Sequence, residues 1–224
     1  MPTSQHLHIG LVMNAWALYR AHPWRWLGAS GIACGVQFGL WLLLMLLMRR
    51  PGEGEWWQRV LLSVVLGTLL TGVNRFFQTG LCRMALDQLN GEPVRLGRIL
   101  APSSGLWTTI ATSLVTGGLI YLGYTMATVL GLILEGLFLL VCPILADRTL
   151  SLKETLRLSI KTLQPELIYA ALFVLTLSLL SGLSGGPFWP LSLLMLVLTY
   201  PFMPQVQALR FRSYFPYRSF EYRA

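Results

Sequence analysis

The chain has 224 residues, 54% of them hydrophobic and only 12% charged. A soluble domain carries about 25% charged residues, so a soluble enzyme and a disordered chain are both excluded and a membrane protein is indicated. The 17 basic and 9 acidic residues, a net +8, then read as loops facing a cytoplasm and anionic head groups, with no nucleic acid as partner.

Residues 5–20 predict an amphipathic helix in the membrane interface, with Leu7, Leu11, Ala15 and Leu18 at helical spacing and His8, Asn14 and Arg20 as its polar part. Residues 1–21 contain no uninterrupted apolar core, so the first span is expected to act as its own insertion signal. His22-Pro23 ends this helix, because proline disfavours helix at the residue before it. Span 1 is predicted over 24–48, with Trp24 and Trp26 at head-group level and Arg49-Arg50 closing it. After a turn over 51–54, span 2 begins near Trp56-Trp57 and leaves the membrane at Asn74-Arg75. Its helix continues to Leu89, with Phe77, Leu81, Met84 and Leu89 on one face and Arg75, Arg83 and Asp87 on the other. Asn90-Gly91 is a helix stop, because both residues tolerate the left-handed conformation. A short helical piece is expected over 96–100.

The 42 residues 105–146 contain one charged side chain, Glu135, and the 43 residues 167–209 contain none. A hydrocarbon core of about 30 Å takes about 20 helical residues, so each stretch predicts two crossings. Spans 3 and 4 fall over 106–122 and 125–146, turning at Gly123-Tyr124. Ser151 and Glu154 form a capping box ahead of an amphipathic helix, with Leu152, Leu156, Ile160 and Leu163 against Lys153, Arg157 and Lys161. Span 5 is expected over 165–183 and span 6 over 191–209, the latter interrupted by Pro201 and Pro204. The expected fold class is all-α: a polytopic membrane protein of six transmembrane helices with cytoplasmic interfacial amphipathic helices. It forms one domain, with an entry helix over 1–23, the bundle over 24–209 and a basic aromatic tail over 210–224. Fourteen lysines and arginines then lie on the side of the termini and three on the other, which predicts cytoplasmic termini in a bacterial inner membrane.

Glu135 is the sharpest candidate. An acid at mid-span costs roughly 2.5–3.5 kcal/mol on the insertion scale, and the twelve Leu, Ile, Val and Phe residues of the same run return about 4–7 kcal/mol. Insertion tolerates it, so two readings stand: a functional intramembrane acid, or an interhelical hydrogen bond beside Gly131 and Gly136. Gln37, at similar depth in span 1, is its expected partner. Arg75, Arg83, Lys153, Arg157 and Lys161 are candidate contacts for anionic lipid. Cys34, Cys82 and Cys142 read as small apolar fillers. His6 and His8 lack the further ligands of a metal site, so no metal or cofactor is expected, and no catalytic set assembles from the sequence.

Three stretches together resemble a known group: AWALYRAHPWRWL (15–27), TGLCRMALDQLNGEPVRLGRIL (79–100) and PILADRTLSLKETLRLSIKTL (143–163). They are similar to the bacterial integral membrane family that includes YciC-like inner-membrane proteins, and to the membrane domain of some glycerophosphodiester phosphodiesterases. Gly91-Glu92-Pro93, Asp147 and Leu156/Ser159 occupy that family's turn and helix positions, whereas Gly123-Tyr124 stands where the family often has Pro-Gly. The resemblance implies six helices and no established activity, and it carries over no catalytic residues. The expected role is a non-catalytic accessory or scaffold protein that associates with lipids, a membrane partner or a second copy. The alternative is a small transporter using Glu135.

Overall fold

The computed structural model describes residues 9–48, 56–100, 105–182 and 200–216. Every regular element among them is helical. In chain order these are α1 (Ile9–Ala21), α2 (Pro23–Met48), α3 (Trp56–Leu89), a 3-10 turn (Leu96–Leu100), α4 (Leu106–Met126), α5 (Thr128–Leu137), α6 (Val141–Asp147), α7 (Leu152–Leu163), a 3-10 turn (Gln164–Glu166), α8 (Leu167–Gly182) and α9 (Phe202–Tyr214). Four stretches are long and apolar enough to cross a membrane: Pro23–Leu43, Val60–Leu89, Leu106–Met126 and Thr128–Asp147. His6, His8, the turn over 51–54 and residues 191–199 of the sixth predicted span lie outside the described residues.

Local signals set several boundaries where expected. Pro23 opens α2, α3 stops at Leu89 before Gly91 (φ 78°), and the Ser151 capping box starts α7. Glycines bring α3, α4 and α5 together. A Cβ on Gly117 of α4 would stand 2.7 Å from the Gly72 nitrogen of α3, and one on Gly123 would stand 3.0 Å from the Gly131 Cα of α5. Gly72 also faces Leu114, so the middle of α4 meets α3 at residue 72. The core gathers Trp26 and Ala33 of α2, Leu81 and Met84 of α3, Ile144 of α6 and Phe211 of α9. The other ends of α2 and α3 expose Trp41, Leu42, Leu43, Leu61, Val65 and Leu69, an apolar surface of the kind that meets lipid or a partner.

Four expectations are corrected. Trp26 is not a head-group ring. It is fully buried, and its Nε1 donates to Gln88 Oε1 at 3.1 Å, while Trp24 alone is exposed, at 82%. The turn between α4 and α5 is at extended Ala127, because Gly123 and Tyr124 still belong to α4. The fourth span is not one helix. Pro143 has no N–H to donate, and its ring crowds the carbonyl four residues back, that of Leu139. The chain responds by tightening over 138–140, where Leu139 and Val141 bond to the carbonyls of Gly136 and Phe138. Finally, Pro201 and Pro204 stand at the start of α9, and α9 continues through Arg210 and Phe211, both buried, to Tyr214.

Candidate functional site

Irregular backbone at the depth of a span survives only where protein supplies its hydrogen bonds. Residues 138–140 between α5 and α6 are all buried, as are Val141 and Cys142 at the start of α6. The Leu137 carbonyl accepts from the Ser159 hydroxyl of α7 at 2.7 Å, and the Phe138 carbonyl accepts from Arg75 Nη1 at 3.5 Å. The C-terminal end of α5 carries partial negative charge from its aligned peptide dipoles, so a guanidinium there is favoured twice over.

Arg75 also meets Glu135. Its Nη2 lies 3.8 Å from Glu135 Oε1, with side chains 4% and 21% exposed respectively, and the Tyr124 hydroxyl donates to Glu135 Oε2 at 2.6 Å. The acid that looks isolated in sequence is therefore paired. Arg75 lies within one turn of Gly72, level with the middle of α4, and its side chain is buried in the bundle, not on the surface. Expected on the polar outer face of α3, it points instead into the bundle, where the Glu135 carboxylate lies.

Gln37 joins a different cluster. Its Nε2 donates to Asn74 Oδ1 at 2.9 Å and to Tyr200 Oη at 2.7 Å, and the Tyr200 hydroxyl donates to Asn74 Oδ1 at 2.8 Å. The expected Gln37–Glu135 pair does not form. Consecutive residues Asn74 and Arg75 serve the two clusters separately. The Tyr200 hydroxyl is a member that sequence reasoning missed, and its position before Pro201 gave no signal of it.

Below these clusters lies a layer rich in ion pairs. Asp87 meets Arg83 Nε at 2.9 Å and Arg98 Nε at 3.3 Å, and Arg83 Nη1 donates to the Ala146 carbonyl at 2.7 Å. Arg83 is therefore a strut between α3 and α6, not a free lipid contact. Asp147 accepts from Arg212 at 2.8 Å, and Glu166 accepts from Arg210 at 3.1 Å and from the Tyr214 hydroxyl at 2.6 Å. Burial pushes the Tyr214 hydroxyl up, and the carboxylate it donates to adds to the shift. On α7 the buried stripe is Thr155, Ser159 and Leu163, with Ile160 turned outward. Lys153, Arg157 and Lys161 are exposed one turn apart, and none forms an ion pair among the described residues. The three cysteines are buried and unbridged.

Comparison with models of protein families, with curated proteins and with solved structures finds no match.

Proposed function

We propose that this chain is a six-span accessory or scaffold protein of a bacterial inner membrane, without catalytic activity, both termini cytoplasmic, akin to the YciC-like family. It associates with anionic head groups through its inner face and with a larger membrane assembly through its apolar flanks. The stripe of Lys153, Arg157 and Lys161 carries this reading. Three exposed cations share one face of a helix whose opposite face is tied to the bundle by the Ser159 hydroxyl. Cations held rigidly at the end of a span attract anionic lipid by about 1 kcal/mol each. With Arg75 removed from the loops, thirteen cations still stand on the side of the termini against three on the other.

The test is lipid enrichment in nanodiscs of mixed phosphatidylethanolamine and phosphatidylglycerol. The wild-type protein enriches phosphatidylglycerol in its retained shell, and the Lys153→Gln/Arg157→Gln/Lys161→Gln variant loses that enrichment. Equal enrichment by the two proteins refutes the lipid contact. A protein that always purifies alone in mild detergent refutes the assembly role.

The broken fourth span favours a second reading, because discontinuous helices line the sites of many transporters. In that case Glu135 carries protons. Proton flux in proteoliposomes that Glu135→Gln abolishes, with the fold retained, would select this reading over the first.

A further inference from the structure

Gln37 and Asn74 of the polar triangle with Tyr200 line a cleft of about 340 Å³ between α2 and α3. The triangle spends both Gln37 amide protons, the Tyr200 proton and both lone pairs of Asn74 Oδ1. Two groups remain: the Gln37 Oε1 acceptor and the Asn74 Nδ2 donors. Among the described residues neither has a hydrogen-bond partner, and neither is among the sealed, unpartnered polar atoms. Both residues line the cleft, so it presents one amide acceptor and one amide donor side by side.

The surroundings narrow what those groups receive. Asn74 is level with the middle of α4, so the cleft opens beside lipid tails, far from water. A free amide there costs several kcal/mol, which a ligand with its own donor and acceptor relieves. Among the described residues no charged side chain lines the cleft, so a phosphate or ammonium head group meets no counter-charge from them. Phe38 and Trp41 form one wall, their ring centroids 6.0 Å apart and their planes 21° from parallel. Both rings are half-exposed, an apolar plate continuous with the exposed side of α2. The volume falls at the lower end of the range of about 300–1,000 Å³ for small-ligand sites.

We propose that this cleft binds an uncharged, membrane-dissolved amphiphile whose head group places a hydroxyl beside a carbonyl or a second hydroxyl. The hydroxyl donates to Gln37 Oε1, the neighbouring oxygen accepts from Asn74 Nδ2, and the apolar tail leaves through the open side. Acylglycerols and hydroquinones share this chemistry. The site is separate from the cationic stripe of α7.

The test uses three short-chain probes on the purified full chain, read by native mass spectrometry: 1,2-dioctanoylglycerol, a decyl hydroquinone and dioctanoyl phosphatidylglycerol. At least one neutral probe binds at one saturable site, about tenfold tighter than the anionic probe, a 1.4 kcal/mol difference. Binding of the glyceride alone or of the hydroquinone alone supports the site and identifies the source of the head group. Leu70→Trp fills the cleft without touching the triangle and abolishes binding while the melting temperature is kept. The α7 triple variant binds the neutral probes like wild type, which separates this site from the anionic-lipid reading. Equal, non-saturable uptake of all three probes overturns the proposal, as does unchanged binding by a folded Leu70→Trp variant.

Discussion

Removing one member of the Arg75–Glu135 pair should harm the protein more than removing both. At 3.8 Å and an effective dielectric of about 20, two unit charges attract by about 4 kcal/mol. Deleting either charge strands the other in the bundle, at a cost of about 3–5 kcal/mol. Arg75→Met should be the worse single change, because the Phe138 carbonyl also loses its second donor and keeps only the Val141 N–H. Glu135→Gln should be milder than Glu135→Leu, since an amide oxygen still accepts from Tyr124. In Arg75→Met/Glu135→Leu no charge is stranded, and the residual loss is the Arg75 bond to the Phe138 carbonyl and the Tyr124 bond to Glu135, about 1–3 kcal/mol together. The four proteins form a double-mutant cycle measured by reversible denaturant unfolding in mixed micelles. Single losses of about 3–5 kcal/mol each against a double loss of about 1–3 kcal/mol give an expected coupling of at least about 3 kcal/mol. Additive single effects, with coupling below about 0.5 kcal/mol, would refute the claim that these charges depend on each other.

Gly117→Ala should destabilise by about 1–3 kcal/mol, because the new methyl meets the backbone of Gly72 and Thr71, which has no room to retreat; Gly35→Ala, with nothing within 4 Å, is the control, and equal melting temperatures would sink the account. Gln205 is fully buried with neither amide atom paired, so Gln205→Met should raise stability by about 1–3 kcal/mol in thermal unfolding, whereas a loss would reveal a polar partner there. The Ser151 hydroxyl, then its backbone N–H, holds Glu154 below the usual carboxylate range. A depressed folded value means that the capping contribution is complete above the unfolded pKa of about 4.3 and is lost as pH falls through the lower folded value. Hydrogen exchange at the first amides of α7 should quicken across that acid window, and Glu154→Gln should remove the pH dependence of that exchange.

The legible parts of the fold were those written locally. Pro23, Asn90-Gly91 and Ser151 with Glu154 act on their own few residues, and helix boundaries appear there. The break over 138–140 was written locally too, in Pro143, but a run of apolar residues on either side hides it from any hydropathy argument. Arg75 and Glu135 were illegible for a different reason. Each taken alone is costly at mid-span, so one reads as a membrane exit and the other as an isolated acid. Their sixty-residue separation conceals that each removes the other's cost. Gln37 was correctly singled out as a polar residue that needs a partner, but pattern alone offers no way to choose among Glu135, Asn74 and Tyr200. On α7, spacing favoured the leucine-rich face, yet the bundle took Thr155 and Ser159, because a free carbonyl at Leu137 demanded a hydroxyl.

The gap between α5 and α6 also has a place in time. Chains emerge from the ribosome N-terminus first, so α3, with Arg75, is complete before residues 137 and 138 exist. The Phe138 carbonyl can meet its donor as soon as the fourth span enters. The Leu137 carbonyl must wait for Ser159, twenty-two residues further along. Until α7 folds back against the bundle, the Leu137 carbonyl has not met the Ser159 hydroxyl, and α7 closes that bond.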